Sequence, residues 1–132
     1  MASIRKEVSL TCSPEHAWSA LRDVGALHTR LVPGFVVDTT LEGGDRLVTF
    51  GNGVTARERI ITVDDDARRV VWSVVGAPFT HHNASAQVFP EGDNRCRFVW
   101  IADLLPNDIA GNIAAMITQG IGVIQATLER PT

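Results

Sequence analysis

From residue 4 onward, Ile4, Lys6, Val8 and Leu10 alternate with Arg5, Glu7, Ser9 and Thr11, the period-2 signature of a strand with one buried face. Ser13-Pro14-Glu15 then marks a helix start. Serine is a natural N-cap, proline suits the first helical position, and an acid complements the positive end of the helix dipole. Trp18, Leu21 and Val24 follow at helical spacing, with Gly25 as the expected stop. A second short helix is predicted around Ala26 to Leu31, ahead of Pro33-Gly34.

Strand patterns then recur between turn signals. Phe35 to Leu41 closes at Gly43-Gly44-Asp45, and Leu47 to Phe50 and Val54 to Val63 flank Asn52-Gly53. That dipeptide predicts a two-residue hairpin of type I′, which needs positive φ at both positions. Asp64-Asp65-Asp66 makes the next turn, before the apolar strand Val70 to Val75. Thr80 to Phe89 and Cys96 to Leu104 form a last hairpin around Glu91-Gly92-Asp93-Asn94. A long helix runs from Asp108 to about Leu128, with the apolar stripe Ile109, Ile113, Met116, Ile117, Ile121, Ile124 and Leu128. The order β-α-α-β-β-β-β-β-β-α predicts an α+β fold, an antiparallel meander burying one face on the terminal helix.

Composition narrows the function classes. At 132 residues the chain fits one domain, 1–132. With 45% hydrophobic and 20% charged residues it is globular. A net charge of −3 excludes a nucleic-acid partner, which needs clustered Lys and Arg. The N-terminus turns charged at once, and apolar stretches look shorter than a membrane span needs. An intracellular, cytoplasmic protein with no membrane span is therefore expected. Cys12 and Cys96 form no metal-type pair and read as buried free thiols of a reducing compartment, without a redox role.

The element order over the whole chain resembles the helix-grip fold of the START and birch-pollen-allergen superfamily. The residues carrying the resemblance are Ser13-Pro14-Glu15-His16-Ala17-Trp18, Ala56-Arg57-Glu58-Arg59-Ile60, Trp72-Ser73-Val74-Val75-Gly76, and Phe98-Val99-Trp100 through Asp103 to Pro106. They look like the polyketide cyclase/dehydrase branch, the SRPBCC group. Glu58-Arg59-Ile60 through Asp64-Asp65-Asp66 to Gly76 is also similar to the plant abscisic-acid receptors. The resemblance implies a curved antiparallel sheet wrapped around the C-terminal helix, with two short helices after the first strand. A small hydrophobic molecule would sit between sheet and helix.

Two face assignments compete on the last hairpin. Hydrophobicity alone turns Ala84, Ala86, Val88, Phe98, Trp100 and Ala102 inward. The receptor resemblance instead turns Asn83, Ser85, Val99 and Ile101 inward, leaving Phe98 and Trp100 on the far face, where a second subunit would cover them. A homodimer is expected on that ground. The candidate ligand-binding set follows the second assignment: Glu58, Trp72, Asn83, Ser85, Val99, Ile101, Ile113, Ile117 and Ile121.

Glu58 is the candidate catalytic residue: on the resemblance it points into the pocket, while residue type alone fits a solvated carboxylate beside Arg57 and Arg59. Trp72 and Trp100 fit cavity walls or plain core. Arg30 fits the pocket mouth or the exposed surface. His81 and His82 are adjacent on a strand and face opposite ways, so they cannot share a metal; a surface or hydrogen-bonded histidine is expected, with no metal and no cofactor. Gly111, Gly120 and Gly122 fit close approach of another helix or subunit, room for a ligand, or plain tolerance. Three functions remain in order: binding of a small apolar ligand, a cyclase/dehydratase using the same cavity, and a dimeric protein with no ligand.

Overall fold

The computed structural model describes residues 1–131, so the domain expected over 1–132 ends one residue outside them. Seven strands form one antiparallel sheet: β1 (Ala2–Leu10), β2 (Val36–Glu42), β3 (Asp45–Phe50), β4 (Thr55–Asp64), β5 (Arg69–Val75), β6 (His81–Pro90) and β7 (Cys96–Leu105). Their spatial order is β1-β7-β6-β5-β4-β3-β2. The meander β2 to β7 follows chain order, and β1 joins at the free edge of β7, in register from Ala2↔Leu104 to Leu10↔Cys96. Two helices complete the fold, α1 (Pro14–Arg22) and α2 (Ala110–Leu128). This is the helix-grip arrangement.

Helix α1 starts as its sequence dictates. Ser13 is the N-cap, and its hydroxyl accepts from the His16 N–H at 3.1 Å. Ala17, Trp18, Ala20 and Leu21 bury one face. Asp65 Oδ1, in the β4–β5 turn, accepts from Trp18 Nε1 (3.0 Å) and Arg22 Nε (2.8 Å), pinning the helix to the end of the sheet.

The expected stop at Gly25 is corrected: the helix ends at Arg22, with Asp23 as C-cap. Gly25 lies in a short 3₁₀ turn, Val24–Ala26, where a Cβ would stand 2.9 Å from the Leu41 side chain. The second short helix expected around Ala26 to Leu31 is present as a single wide helical turn, Leu27–Leu31.

The Asn52-Gly53 turn also differs. Only Gly53 has positive φ (88°), Gly53 N–H donates to the Phe50 carbonyl, and Phe50 N–H donates to the Val54 carbonyl. That is a longer loop ending in a left-handed glycine, not type I′. Gly51 explains the change: it lies against the Gly34 carbonyl, which a Cβ would approach to 2.4 Å. The loop thus closes on the Pro33-Gly34 segment.

After a 3₁₀ turn at Asn107–Ile109, α2 buries Ile117, Gly120, Ile124 and Leu128 and packs mainly along β1. The segment Asn107–Leu128 is long and apolar enough, at mean hydropathy 1.3, to cross a membrane by composition alone. That corrects the expectation of uniformly short apolar stretches. Its stripe is instead used in the core, beside Ile4, Leu10, Phe98, Ala102 and Leu104.

Candidate functional site

Between the inner sheet face and α2 lies a cavity of about 390 Å³. Its floor is built from strand residues of one parity. On β6 and β7 these are Ala84, Ala86, Phe98, Trp100 and Ala102; on β5, Trp72; on β3 and β4, Arg46 and Glu58. Ala84 and Ala102 stand directly opposite one another across the strands, and Ala86 opposes Trp100. These small side chains at the centre of the sheet share the lining with Ile113 and Ile117 of α2. The rim carries Val54, Ala77, Pro78 and Phe79 from two loops, Val75 from the end of β5, and Met116 from α2.

The register settles the two face assignments, and the receptor-like one is corrected. Asn83, Ser85, Val99 and Ile101 do not line the cavity. Ser85 opposes Ile101, which opposes Arg5, and Gln87 opposes Val99, which opposes Glu7. All belong to the outer row. Turning that row inward would bury Arg5, Glu7, Gln87 and Asp103 and expel Phe98, and a strand cannot turn only part of a row. Phe98 is instead fully buried in the main core, while Val99 is buried apart from it. The premise for a homodimer covering Phe98 and Trp100 therefore falls away.

Four members of the expected set do meet: Glu58, Trp72, Ile113 and Ile117 line one cavity. Ile121 packs against the core but does not line it. At about 100° per residue, Ile121 is turned roughly 80° from Ile113, whereas Ile124, eleven residues on, is turned only about 20°. Ile124 takes the inward place. Gly120 is accounted for internally, since a Cβ there would lie 2.8 Å from the Trp100 ring. Gly111 and Gly122 face open space. Arg30 is held away from the mouth by Asp23 (3.0 Å) and Ser19 (2.7 Å).

Polar groups enter this apolar space at two points. Arg46 and Glu58 are opposite residues of β3 and β4, with side chains only 5% and 9% exposed. Arg46 Nε donates to Glu58 Oε1 at 2.9 Å, and Nη2 lies 2.7 Å from the same oxygen. Glu58 Oε2 therefore has no protein donor among the described residues. The guanidinium also lies 5.7 Å from the centre of the Trp72 ring, a cation–π contact. Glu58 is thus neither a solvated carboxylate nor a partner of its neighbours Arg57 and Arg59, which pair with Asp45.

The second point is His82. The β5–β6 ladder ends at Trp72↔Ala84. Beyond it the strands are bridged by side chains: Ser73 Oγ donates to the His82 carbonyl, and Val74 N–H donates to His82 Nδ1 at 3.0 Å. Phe79 packs edge-on against the imidazole, centroids 4.8 Å apart. An imidazole that accepts at Nδ1 carries its proton at Nε2, and His82 lines the cavity. It is a hydrogen-bonded histidine, as expected, but also a cavity wall.

Burial pushes His82 down to about 4, with the neighbouring His81 adding to the effect. The folded value lies below the ordinary 6.5, so as pH falls the unfolded chain takes the proton first. This residue's stabilisation is complete above pH about 6.5 and is lost as pH falls towards 4. In His82→Phe, the slope of unfolding free energy between those pH values should be shallower than in the wild type. Urea unfolding at several pH values measures it; equal slopes would mean that His82 is solvated.

Sequence reasoning missed Arg46 and undervalued His82. For Arg46 a signal existed: pairing β3 with β4 outward from the 50–55 turn places position 46 opposite 58, and Val48 fixes the inward parity. For His82 no local signal existed, because the splay of β5 from β6 depends on the loop between them. Among the described residues no group of three or more His, Cys, Asp or Glu side chains could hold a metal ion.

The amino-acid sequence matches a known family. The model described as polyketide cyclase / dehydrase and lipid transport matches residues 1–130. The chain belongs to this family. Solved structures agree on the fold. A Bacillus thuringiensis protein is 19% identical with a TM-score of 0.86, covering 96% of this chain and 98% of its own. A Thermobifida fusca protein is 27% identical with a TM-score of 0.77, covering 97% and 90%. A norcoclaurine synthase mutant of Thalictrum flavum, in complex with a transition-state analogue, is 19% identical with a TM-score of 0.73, covering 97% and 91%. A comparison with curated proteins finds no match.

Proposed function

We propose that this member of the polyketide cyclase / dehydrase and lipid transport family binds a small apolar molecule bearing a hydroxyl group. The observation carrying this reading is the unpartnered Glu58 Oε2 in the wall of an otherwise apolar cavity. Ligand sites typically combine an apolar lining with a few polar groups that fix orientation. A cavity of about 150 Å³ holds one benzene, so about 390 Å³ suits roughly two to three fused rings. The hydroxyl would donate to Glu58 Oε2, and a carbonyl or ether oxygen would accept from His82 Nε2–H. The complex of norcoclaurine synthase with its transition-state analogue supports small-molecule binding in this fold.

Fluorescence titration with 2-naphthol and its methyl ether tests the reading. A hydrogen bond to a charged group contributes about 1.5–3 kcal/mol, so the free naphthol should bind at least about tenfold more tightly. Equal affinities would remove Glu58 as the anchor, and saturable binding of neither would remove the cavity as the site.

The second reading, a cyclase/dehydratase, is favoured by the convergence of Glu58 and His82 on one space. There Glu58 would take a proton from carbon beside a carbonyl whose oxygen accepts from His82 Nε2–H. Exchange of the α-hydrogens of 2-tetralone in D₂O no faster than in buffer alone would exclude that chemistry for this cavity.

A further inference from the structure

A second pair of reactive groups lies outside the cavity. Cys96, the first residue of β7, opposes Leu10, the last residue of β1. Two residues on, Cys12 stands just ahead of the Ser13 N-cap of α1, and its Sγ lies 4.0 Å from Cys96 Sγ. The approach is held from both sides: Thr11 N–H donates to Glu129 Oε2 at 2.8 Å, and Ser13 is fixed by its cap. Cys96 is fully buried, whereas Cys12 is partly exposed. It borders a surface hollow between Thr11, His16 and the Leu128-Glu129-Arg130 end of α2.

We propose that Cys12 and Cys96 form a reversible intramolecular disulfide when the protein meets a hydroperoxide. Cys12, the accessible sulfur, attacks the peroxide as its thiolate; the O–O bond breaks, leaving a sulfenic acid on Cys12 and releasing an alcohol, or water from hydrogen peroxide. Cys96 then attacks the Cys12 sulfur, the S–O bond breaks, and water leaves with the thiol proton. The two sulfurs lose two electrons, which the peroxide gains. A thiol such as glutathione reverses the bond by exchange. Closure brings the sulfurs from 4.0 Å to about 2.0 Å.

The environment sets the rate. Burial pushes the Cys12 thiol up, and pushes Cys96 up to about 12. Both sulfurs are protonated at neutral pH, so the reaction is slow there and quickens as pH rises. The pair responds to sustained oxidant rather than to a brief pulse. The bond would close a loop of 84 residues' separation, tying β1 and the start of α1 to β7.

The test uses the full chain treated with hydrogen peroxide at pH 8 and then desalted. Expected are loss of both titratable thiols, a mass lower by two hydrogens, an unchanged monomer band on a non-reducing gel, and a melting temperature raised by about 5–15 °C, all reversed by dithiothreitol. Cys96→Ser should instead accumulate a dimedone-trappable sulfenic acid on Cys12. Because Cys96 is buried, Cys12→Ser is the second variant, and it should leave Cys96 reduced under the same treatment. Oxidation of Cys12 to sulfinic or sulfonic acid in the wild type with Cys96 still free, or a disulfide between two chains, would overturn the proposal.

Discussion

Arg46→Met should lower the melting temperature by roughly 10–20 °C. Removing one partner of a buried pair leaves the other charge in an apolar wall, which costs about 3–5 kcal/mol. For a domain of this size, each kcal/mol corresponds to about 3–5 °C. Arg46 and Glu58 meet the conditions for the large effect: their side chains are 5% and 9% exposed, and both short contacts converge on Glu58 Oε1. The loss also removes the contact of Arg46 with the Trp72 ring. The double variant Arg46→Met/Glu58→Leu should recover to within a few degrees of the wild type or exceed it, since an apolar replacement of a buried pair is often neutral or stabilising. Calorimetry on the two single variants and the double variant gives the coupling directly. A single-variant loss below about 3 °C would mean that water reaches the pair through the mouth, and the account of Glu58 as a desolvated anchor would fail.

Replacing Ala84 and Ala102 together with leucine should close the cavity. These alanines face each other across β6 and β7 beneath α2, so each added isobutyl group projects into the space a ligand would occupy. Binding of an apolar fluorescent probe such as 2-naphthol should weaken at least about tenfold, a loss of about 1.4 kcal/mol or more. Ala84 and Ala102 are each 1% exposed, so overpacking should cost about 1–3 kcal/mol, and circular dichroism checks that the fold survives. Undiminished probe binding in a variant with wild-type circular dichroism would show that the probe binds elsewhere.

Much of the fold is legible along the chain because its signals are local. The Ser13-Pro14-Glu15 start, the turn at Asp64 and the 19-residue apolar helix each depend on residues within a few positions. Even the inward row of the last hairpin is legible, from the alternation Ala84, Ala86, Val88 and Phe98, Trp100, Ala102. The resemblance to receptor proteins pointed the other way and misplaced Asn83, Ser85, Val99 and Ile101. Hydrophobic parity decides a strand's face because a one-residue slip moves the whole row at once.

The sequence by itself determined the class of fold, the strands and their parity, the inward stripe of α2 except at Ile121, and the presence of Glu58, Trp72, Ile113 and Ile117 as candidates. All of these rest on periodicities of two or 3.6 residues, which the backbone imposes locally. Only the tertiary structure decided which partners those residues meet. Pairing of β3 with β4 made Arg46 the counter-ion of Glu58. The splay of β5 from β6 freed Val74 N–H to bond the ring of His82, a wall of the cavity. Addition of β1 to the edge of β7 brought Cys12 to Cys96 across 84 residues of chain. Each is a contact between distant segments, set by strand register and the closing of one face on α2, and no local pattern encodes the distance between two groups that only folding brings together.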